Sequence, residues 1–164
     1  MSDKACLYPG SFDPVTLGHM DVIRRLCGMY EKVYVGILVN PDKKNVFSAE
    51  ERKSMLEKAC EDMTNAEVIV WDGLTVDLLR KLKIRILARG IRTWADFENE
   101  TVMSRLNKTL YPEAETVFLA ASPEKQDISS SSVRQLMCFG GDISAFVPTS
   151  VTELIRKRTQ NTDK

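Results

Sequence analysis

A chain of 164 residues is long enough to bury a sizeable core as one ordinary domain, and 43% apolar with 28% charged residues is a globular composition. Lys plus Arg and Asp plus Glu both number 23. That balance argues against a general nucleic-acid or anionic-membrane binder, so any anion chemistry must come from a few local cations. No apolar run approaches the roughly 18 residues of a membrane span, and Met1-Ser2-Asp3-Lys4-Ala5-Cys6 lacks the basic-then-apolar layout of a secretory signal.

Cys6, Cys27, Cys60 and Cys138 form no C-x-x-C pair, and the chain has a single His. They read as reduced core residues in a cytoplasmic protein, with no metal site.

In chain order, strand-like and helix-like segments alternate. Residues 5–8 form a short apolar strand ended by Pro9-Gly10. Val22, Ile23, Leu26, Cys27 and Tyr30 recur at helical spacing, so a helix begins near Gly18 and His19. Residues 33–39 (VYVGILV) are continuously apolar, as in a parallel strand covered on both faces. Ser48 and Glu51 make a capping box for a helix with Met55, Leu56, Ala59, Cys60 and Met63 inward. A third strand over 67–71 and a short helix over 76–82 follow. A fourth strand over 84–88 ends at Arg89-Gly90. Thr93 and Asp96 mark the start of a long helix reaching about Leu110, and 115–120 is a fifth strand. Serines 129–132 precede a helix stopped by Gly140-Gly141. Ser150 and Glu153 form a capping box for the last helix, and from about residue 158 the chain reads as a frayed polar tail.

Five strands separated by helices predict one α/β domain spanning residues 1–164. It should hold a doubly wound, Rossmann-like five-stranded parallel sheet of order 3-2-1-4-5, with helices on both faces. Strands one and four would then flank the switch point, where such sheets bind ligands. Residues 9–19 and 89–92 would face each other there.

The first of these segments reads Tyr8-Pro-Gly-Ser-Phe-Asp-Pro-Val-Thr-Leu-Gly-His19. Gly10 allows close backbone approach, Ser11 offers a hydroxyl and an amide, and Gly18-His19 sit at a helix N-terminus that favours anions. Neither G-x-G-x-x-G nor G-x-x-x-x-G-K-[ST] is present. Lys43 follows strand two, and Arg89 and Arg92 flank Gly90. The competing reading of both arginines is a helix-edge ion pair with Asp96 or Glu98. Ile128 and the four serines after it offer a cradle for phosphates, although one Ser suffices to cap a helix.

The loop resembles the H/T-x-G-H nucleotidyltransferases, with Thr16-Leu17-Gly18-His19 as its signature. Over residues 7–156 the chain is similar to the phosphopantetheine adenylyltransferase family, most specifically at Arg89-Gly-Ile-Arg-Thr-Trp-Ala-Asp-Phe-Glu-Asn-Glu100. Asn107 also falls where that family has an Asn. The sequence departs from the family at Lys125-Gln126-Asp127, Asn99 and Thr75.

The resemblance implies transfer of AMP from ATP to 4'-phosphopantetheine, giving dephospho-coenzyme A and pyrophosphate, with Mg²⁺ carried mainly by ATP. It implies His19, Lys43 and Arg92 as catalytic groups. ATP would be bound by Ser11, Phe12, His19, Gly90, Ile91, Arg92, Glu100, Ile128, Ser129, Ser130 and Ser131. Phosphopantetheine would meet Ser11, Lys43, Thr75 and Arg89. A homohexamer and coenzyme A as a feedback ligand are also implied. The alternatives are an adenylyltransferase acting on nicotinate or nicotinamide mononucleotide, and a nucleotide sensor without turnover. An aminoacyl-tRNA synthetase fragment would share Gly18-His19, but the neutral chain shows no tRNA-binding region.

Overall fold

Residues 2–40, 42 and 44–162 are described by the structure, a computed structural model. Strand β1 (Ser2–Gly10) leads into α1 (Leu17–Met29), β2 (Lys32–Val39), α2 (Ala49–Ala59) and β3 (Ala66–Asp72). Then come α3 (Thr75–Leu82), β4 (Ile84–Ile91), α4 (Trp94–Leu110), β5 (Glu115–Ala120), α5 (Ser130–Cys138) and α6 (Thr149–Thr162). A single 3₁₀ turn (Pro123–Lys125) lies between β5 and α5. The sheet has the expected order, β3-β2-β1-β4-β5, and every pairing is parallel.

Alternation along β1 sends its side chains to two separate cores. Cys6 and Tyr8 join Ile23 and Leu26 of α1, Leu56 of α2 and Val151 and Ile155 of α6. Ala5 and Leu7 join Leu78 and Leu79 of α3, Leu87 of β4 and Tyr111 at the end of α4. Both faces of β1 are thus covered over residues 5–8, which is why that stretch is continuously apolar. Met55 and Leu56 are buried as expected, with Ala59 and Met63 packed at the edge of the same core. Burial pushes the Cys6 thiol up to about 12, with Cys27 adding to the shift, and burial likewise raises Cys60 to about 12. Cys138 departs from the core reading, because it lies exposed at the end of α5.

Several boundaries differ from the sequence expectation, beginning with β1, which runs from Ser2 through Pro9 and Gly10 rather than over 5–8. Strand β4 does not end before Arg89. It runs on to Ile91, with Arg89, Gly90 and Ile91 in register with Phe118, Leu119 and Ala120 of β5. Helix α5 starts inside the serine run, with Ser129 as its cap. Ser150 is not the cap of α6. That helix starts at Thr149, and the N–H groups of Val151 and Thr152 both donate to the Pro148 carbonyl.

The expected tail from residue 158 is helical as far as Thr162. Arg158 shows why: its Nη1 donates to the Val46 carbonyl (2.9 Å), its Nε pairs with Glu51 (3.3 Å), and its guanidinium lies 4.9 Å over the Phe47 ring. Those contacts dock the helix end on the β2–α2 connection.

Candidate active site

The carboxyl ends of β1 and β4 meet at a cavity of about 280 Å³. The β1–α1 loop forms its floor. Phe12 adopts a left-handed backbone (φ 48°) and is 1% exposed, its ring set edge-on to Tyr8 (5.6 Å) and to His19 (4.9 Å). A Cβ at Gly10 would lie 3.0 Å from the Phe12 ring, so any side chain there would have to push that buried ring aside.

Several distant segments pin the loop. Asp13, 3% exposed, accepts backbone N–H bonds from Val46 and Phe47, both at 2.9 Å. Arg52 of α2, 2% exposed, donates to the Ser11 carbonyl (2.8 Å) and to the Ser48 carbonyl (3.2 Å). From α5, Arg134 donates to the Asp13 carbonyl (2.6 Å) and the Ser130 hydroxyl to the Pro14 carbonyl (2.8 Å).

Thr16 caps α1, and His19 occupies the third helical position where a capping box usually has Glu or Gln. The Thr16 backbone N–H donates to His19 Nδ1 at 3.0 Å. An accepting Nδ1 carries no proton, so in the neutral ring the proton sits on Nε2. Burial holds the His19 pKa down to about 4, and the Arg92 and Arg89 charges push the same way. At neutral pH the side chain is therefore an uncharged N–H donor lining the cavity. In the first turn of α1, Leu17 N–H donates to Phe146, His19 N–H to Thr16 Oγ1 and Met20 N–H to the Thr16 carbonyl. Among the described residues this leaves the Gly18 amide as the one without a protein acceptor, at the positive end of the helix.

The serine run divides its labour. Ser129 Oγ accepts from the Ser132 amide (3.0 Å), Ser130 holds Pro14, and Ser131 Oγ accepts from Arg134 (3.2 Å). These hydroxyls serve the local structure. What Ser129, Ser130 and Ser131 present to the cavity they line is a helix N-terminus of backbone amides. Ser132 does not line it.

Opposite, Arg92 pairs with Asp96 at 3.1 Å, and Arg89 forks onto Glu100 through Nε (2.7 Å to Oε2) and Nη2. The helix-edge pairing with Asp96 is thus realised for Arg92. Arg89 instead reaches Glu100, about two turns into α4. Burial lifts the Asp96 carboxyl, but the Arg92 side-chain and backbone N–H bonds outweigh it and keep Asp96 below its ordinary value. Burial also pushes the Tyr8 phenol up to about 12, against the pull of Arg89 and Arg92. It lines the cavity as a neutral hydroxyl.

Of the expected nucleotide-side residues, Ser11, Phe12, His19, Gly90, Arg92, Glu100, Ile128, Ser129, Ser130 and Ser131 all line this cavity. Ile91, the last residue of β4, does not. Thr75 and Asn107 line a second cavity of about 130 Å³, together with Leu38, Met103 and Ser104. Arg89 lines both cavities. Lys43 lies outside the described residues. Sequence reasoning reads Asp13-Pro14 as stiffening the loop, but it missed the reach of Asp13 to Val46 and Phe47 and missed Arg52 and Arg134 as supports. Arg52 sits on a helix that is otherwise charged, so only its burial marks it out.

The cytidylyltransferase-like family matches residues 7–136. A phosphopantetheine adenylyltransferase of Clostridium tetani is 44% identical over 155 residues, covering 94% of this chain and 97% of that protein. One of Lachnoclostridium phytofermentans is 45% identical, covering 93% of each. One of Finegoldia magna is 43% identical, covering 96% and 98%. Among solved structures, one from Vibrio parahaemolyticus, provisionally named a nicotinate-nucleotide adenylyltransferase, shares the fold with a TM-score of 0.70. It covers 95% of this chain and 93% of that one, at 18% identity. With its parallel sheet, its Thr16-to-His19 signature and relatives matched almost end to end, the chain belongs to the cytidylyltransferase-like nucleotidyltransferases and, within them, to the phosphopantetheine adenylyltransferase family.

Proposed function

We propose that this chain, as one nucleotidyltransferase domain, transfers AMP from ATP to 4'-phosphopantetheine, releasing pyrophosphate and forming dephospho-coenzyme A. The observation that carries the reading is the state of His19. An imidazole whose Nδ1 is committed to Thr16 and whose charge is suppressed is a fixed neutral donor rather than a base. The reaction needs no base. The acceptor phosphate is already an anionic nucleophile and can attack the α-phosphorus in line, expelling pyrophosphate. What remains is positioning and stabilisation of charge on the transferring group.

His19 Nε2–H, Arg92 and Lys43 supply that stabilisation. The Gly18 amide and the amide rim of α5 hold the other phosphates. Arg92 reaches the phosphate by exchanging Asp96 for it. Ser11, Arg89, Lys43 and Thr75 serve the acceptor, and Glu100 serves the nucleotide. The two carboxylates lining the larger cavity, Asp96 and Glu100, are both engaged by arginines. The chain's own side chains there do not form a magnesium cage, and Mg²⁺ would be held by the triphosphate oxygens.

The assay is pyrophosphate release from ATP with 4'-phosphopantetheine, with nicotinamide mononucleotide, and with no acceptor. Release confined to the first supports the reading. Release with the mononucleotide favours the other transferase, and no release with any acceptor favours a nucleotide sensor.

The same reading extends to assembly and location. Along α4, Trp94, Val102, Met103, Leu106 and Leu110 are 50–73% exposed, an apolar face that self-association would cover. Six copies is the number the family resemblance implies, and sedimentation of the purified chain tests it. Coenzyme A, built from both substrates, would compete for the same cavities. No helix among the described residues is long and apolar enough to cross a membrane, in keeping with a cytoplasmic enzyme.

A further inference from the structure

Among the described residues, the two cavities share three lining residues: Pro9, Arg89 and Glu100. One guanidinium ties all three together. Arg89 Nε and Nη2 hold the two Glu100 oxygens, and Nη1 donates to the Pro9 carbonyl. Both side chains are largely enclosed, 27% and 19% exposed. The forked edge of Arg89 is the geometry a phosphate would use, and Glu100 already occupies it. A phosphate arriving from the 130 Å³ side must therefore displace the carboxylate.

We propose that the Arg89–Glu100 pair is an exchange wall that makes the two cavities fill cooperatively, with Glu100 as the coupling residue. This rests on the assignment of the smaller cavity to the acceptor and the larger to the nucleotide. When the acceptor phosphate takes Arg89, Glu100 is left as an enclosed carboxylate beside a new negative charge, which is costly unless donors reach it. A bound nucleotide supplies such donors from the other side, as ribose hydroxyls or the exocyclic amino group of the base. Nucleotide thus lowers the cost of acceptor binding, and by reciprocity acceptor lowers the cost of nucleotide binding. Direct repulsion between the two anionic ligands works in the opposite sense. The sign of the coupling therefore reports whether the exchange occurs.

Calorimetric titration decides it. 4'-Phosphopantetheine is titrated into the protein alone and into protein saturated with α,β-methylene-ATP, whose α–β bridge cannot be cleaved. The wild type should bind the acceptor roughly tenfold more tightly with the analogue present. In Glu100→Gln, Arg89 loses its anionic partner. Acceptor affinity without nucleotide should then rise, and the analogue should no longer improve it. A wall that only shapes the cavities would weaken both ligands in the variant and leave the coupling as in wild type. Thermal unfolding checks that the variant is folded, and the wild-type pair of titrations stands without it. If both ligands bind wild type independently, or if Glu100→Gln keeps the full coupling, the exchange is refuted while the site assignment survives. If neither ligand binds wild type, the assignment fails and the exchange falls with it.

Discussion

The Thr16 backbone N–H points at Nδ1 of His19 from 3.0 Å, while the Thr16 hydroxyl lies 3.1 Å from the same nitrogen. One residue thus caps the helix, orients the ring and sets which nitrogen keeps the proton. With two histidines in the signature, an imidazole would stand in Thr16's place. Here the only imidazole of the chain faces the cavity with its tautomer already chosen.

Replacing His19 by Ala removes a donor aimed at developing charge, not a ground-state anchor. We expect kcat to fall on the order of 10²–10³-fold, as for loss of one oxyanion-type donor. Binding of α,β-methylene-ATP should weaken far less. Single-turnover rates alongside calorimetric binding separate the two, and an unchanged kcat would remove His19 from the chemistry.

The pH dependence follows from the suppressed charge of the ring. His19 titrates near 4 in the folded protein against 6.5 for an unperturbed imidazole. Between these values the unfolded chain binds a proton that the folded chain refuses. The stability this group contributes is therefore complete above pH 6.5 and is lost as pH falls toward 4, by an amount on the order of 3 kcal/mol. Denaturant titrations at pH 7.0, 5.5 and 4.5 should show the decline, and His19→Gln should lack that part of it. The kcat profile of the wild type should carry no His19 ionisation near 6.5, so any step there comes from the substrate phosphates and should persist in His19→Gln. A step there that vanishes in His19→Gln would contradict the assigned neutral state.

Asp13→Ala leaves the amides of Val46, an exposed residue, and Phe47, a buried one, without their acceptor. An orphaned buried donor costs about 1–3 kcal/mol, and water can serve the Val46 amide, so stability should fall by about 1–3 kcal/mol. For a chain of this length that is a fall in Tm of roughly 2–12 °C. Scanning calorimetry reads it directly. A change under about 1 °C would show that water replaces the carboxylate.

Arg52→Met keeps the length and apolar stem of the side chain but drops the bond to the Ser11 carbonyl. The phosphate loop loses one of its pins while α2 stays packed. We expect KM for ATP to rise several-fold, with a smaller change in Tm than for Asp13→Ala. Steady-state kinetics and calorimetry on the two variants test the ranking.

How far these features were legible before the structure depends on how local their causes are. The sheet order could be read because βαβ units alternate with clear turns, and the start of α2 because Ser48 and Glu51 are three residues apart and bond each other. The end of β4 could not, because Arg89 and Gly90 look like a loop until β5 lies alongside with Phe118 and Leu119 in register. Arg92 with Asp96 was visible as a spacing of four. Arg89 with Glu100 was not, because that pair forms only when α4 folds back over its own preceding strand. The roles of Asp13 and Arg134 were hidden for the same reason, since their partners come from segments 33 to 121 residues away.

Those separations have a consequence for synthesis. The loop over residues 9–19 is made before every segment that pins it. Its pins come from residues 46, 47, 52, 130 and 134, and Arg158 then grips the Val46 end of the β2–α2 connection. A nascent chain that stops short of α5 has His19 but no amide rim opposite it. One that stops short of α6 lacks the contact over Phe47. On the proposed mechanism, the signature at Thr16 to His19 becomes a working site only once α5 and α6 have been made and α6 closes on the connection that steadies the β1–α1 loop.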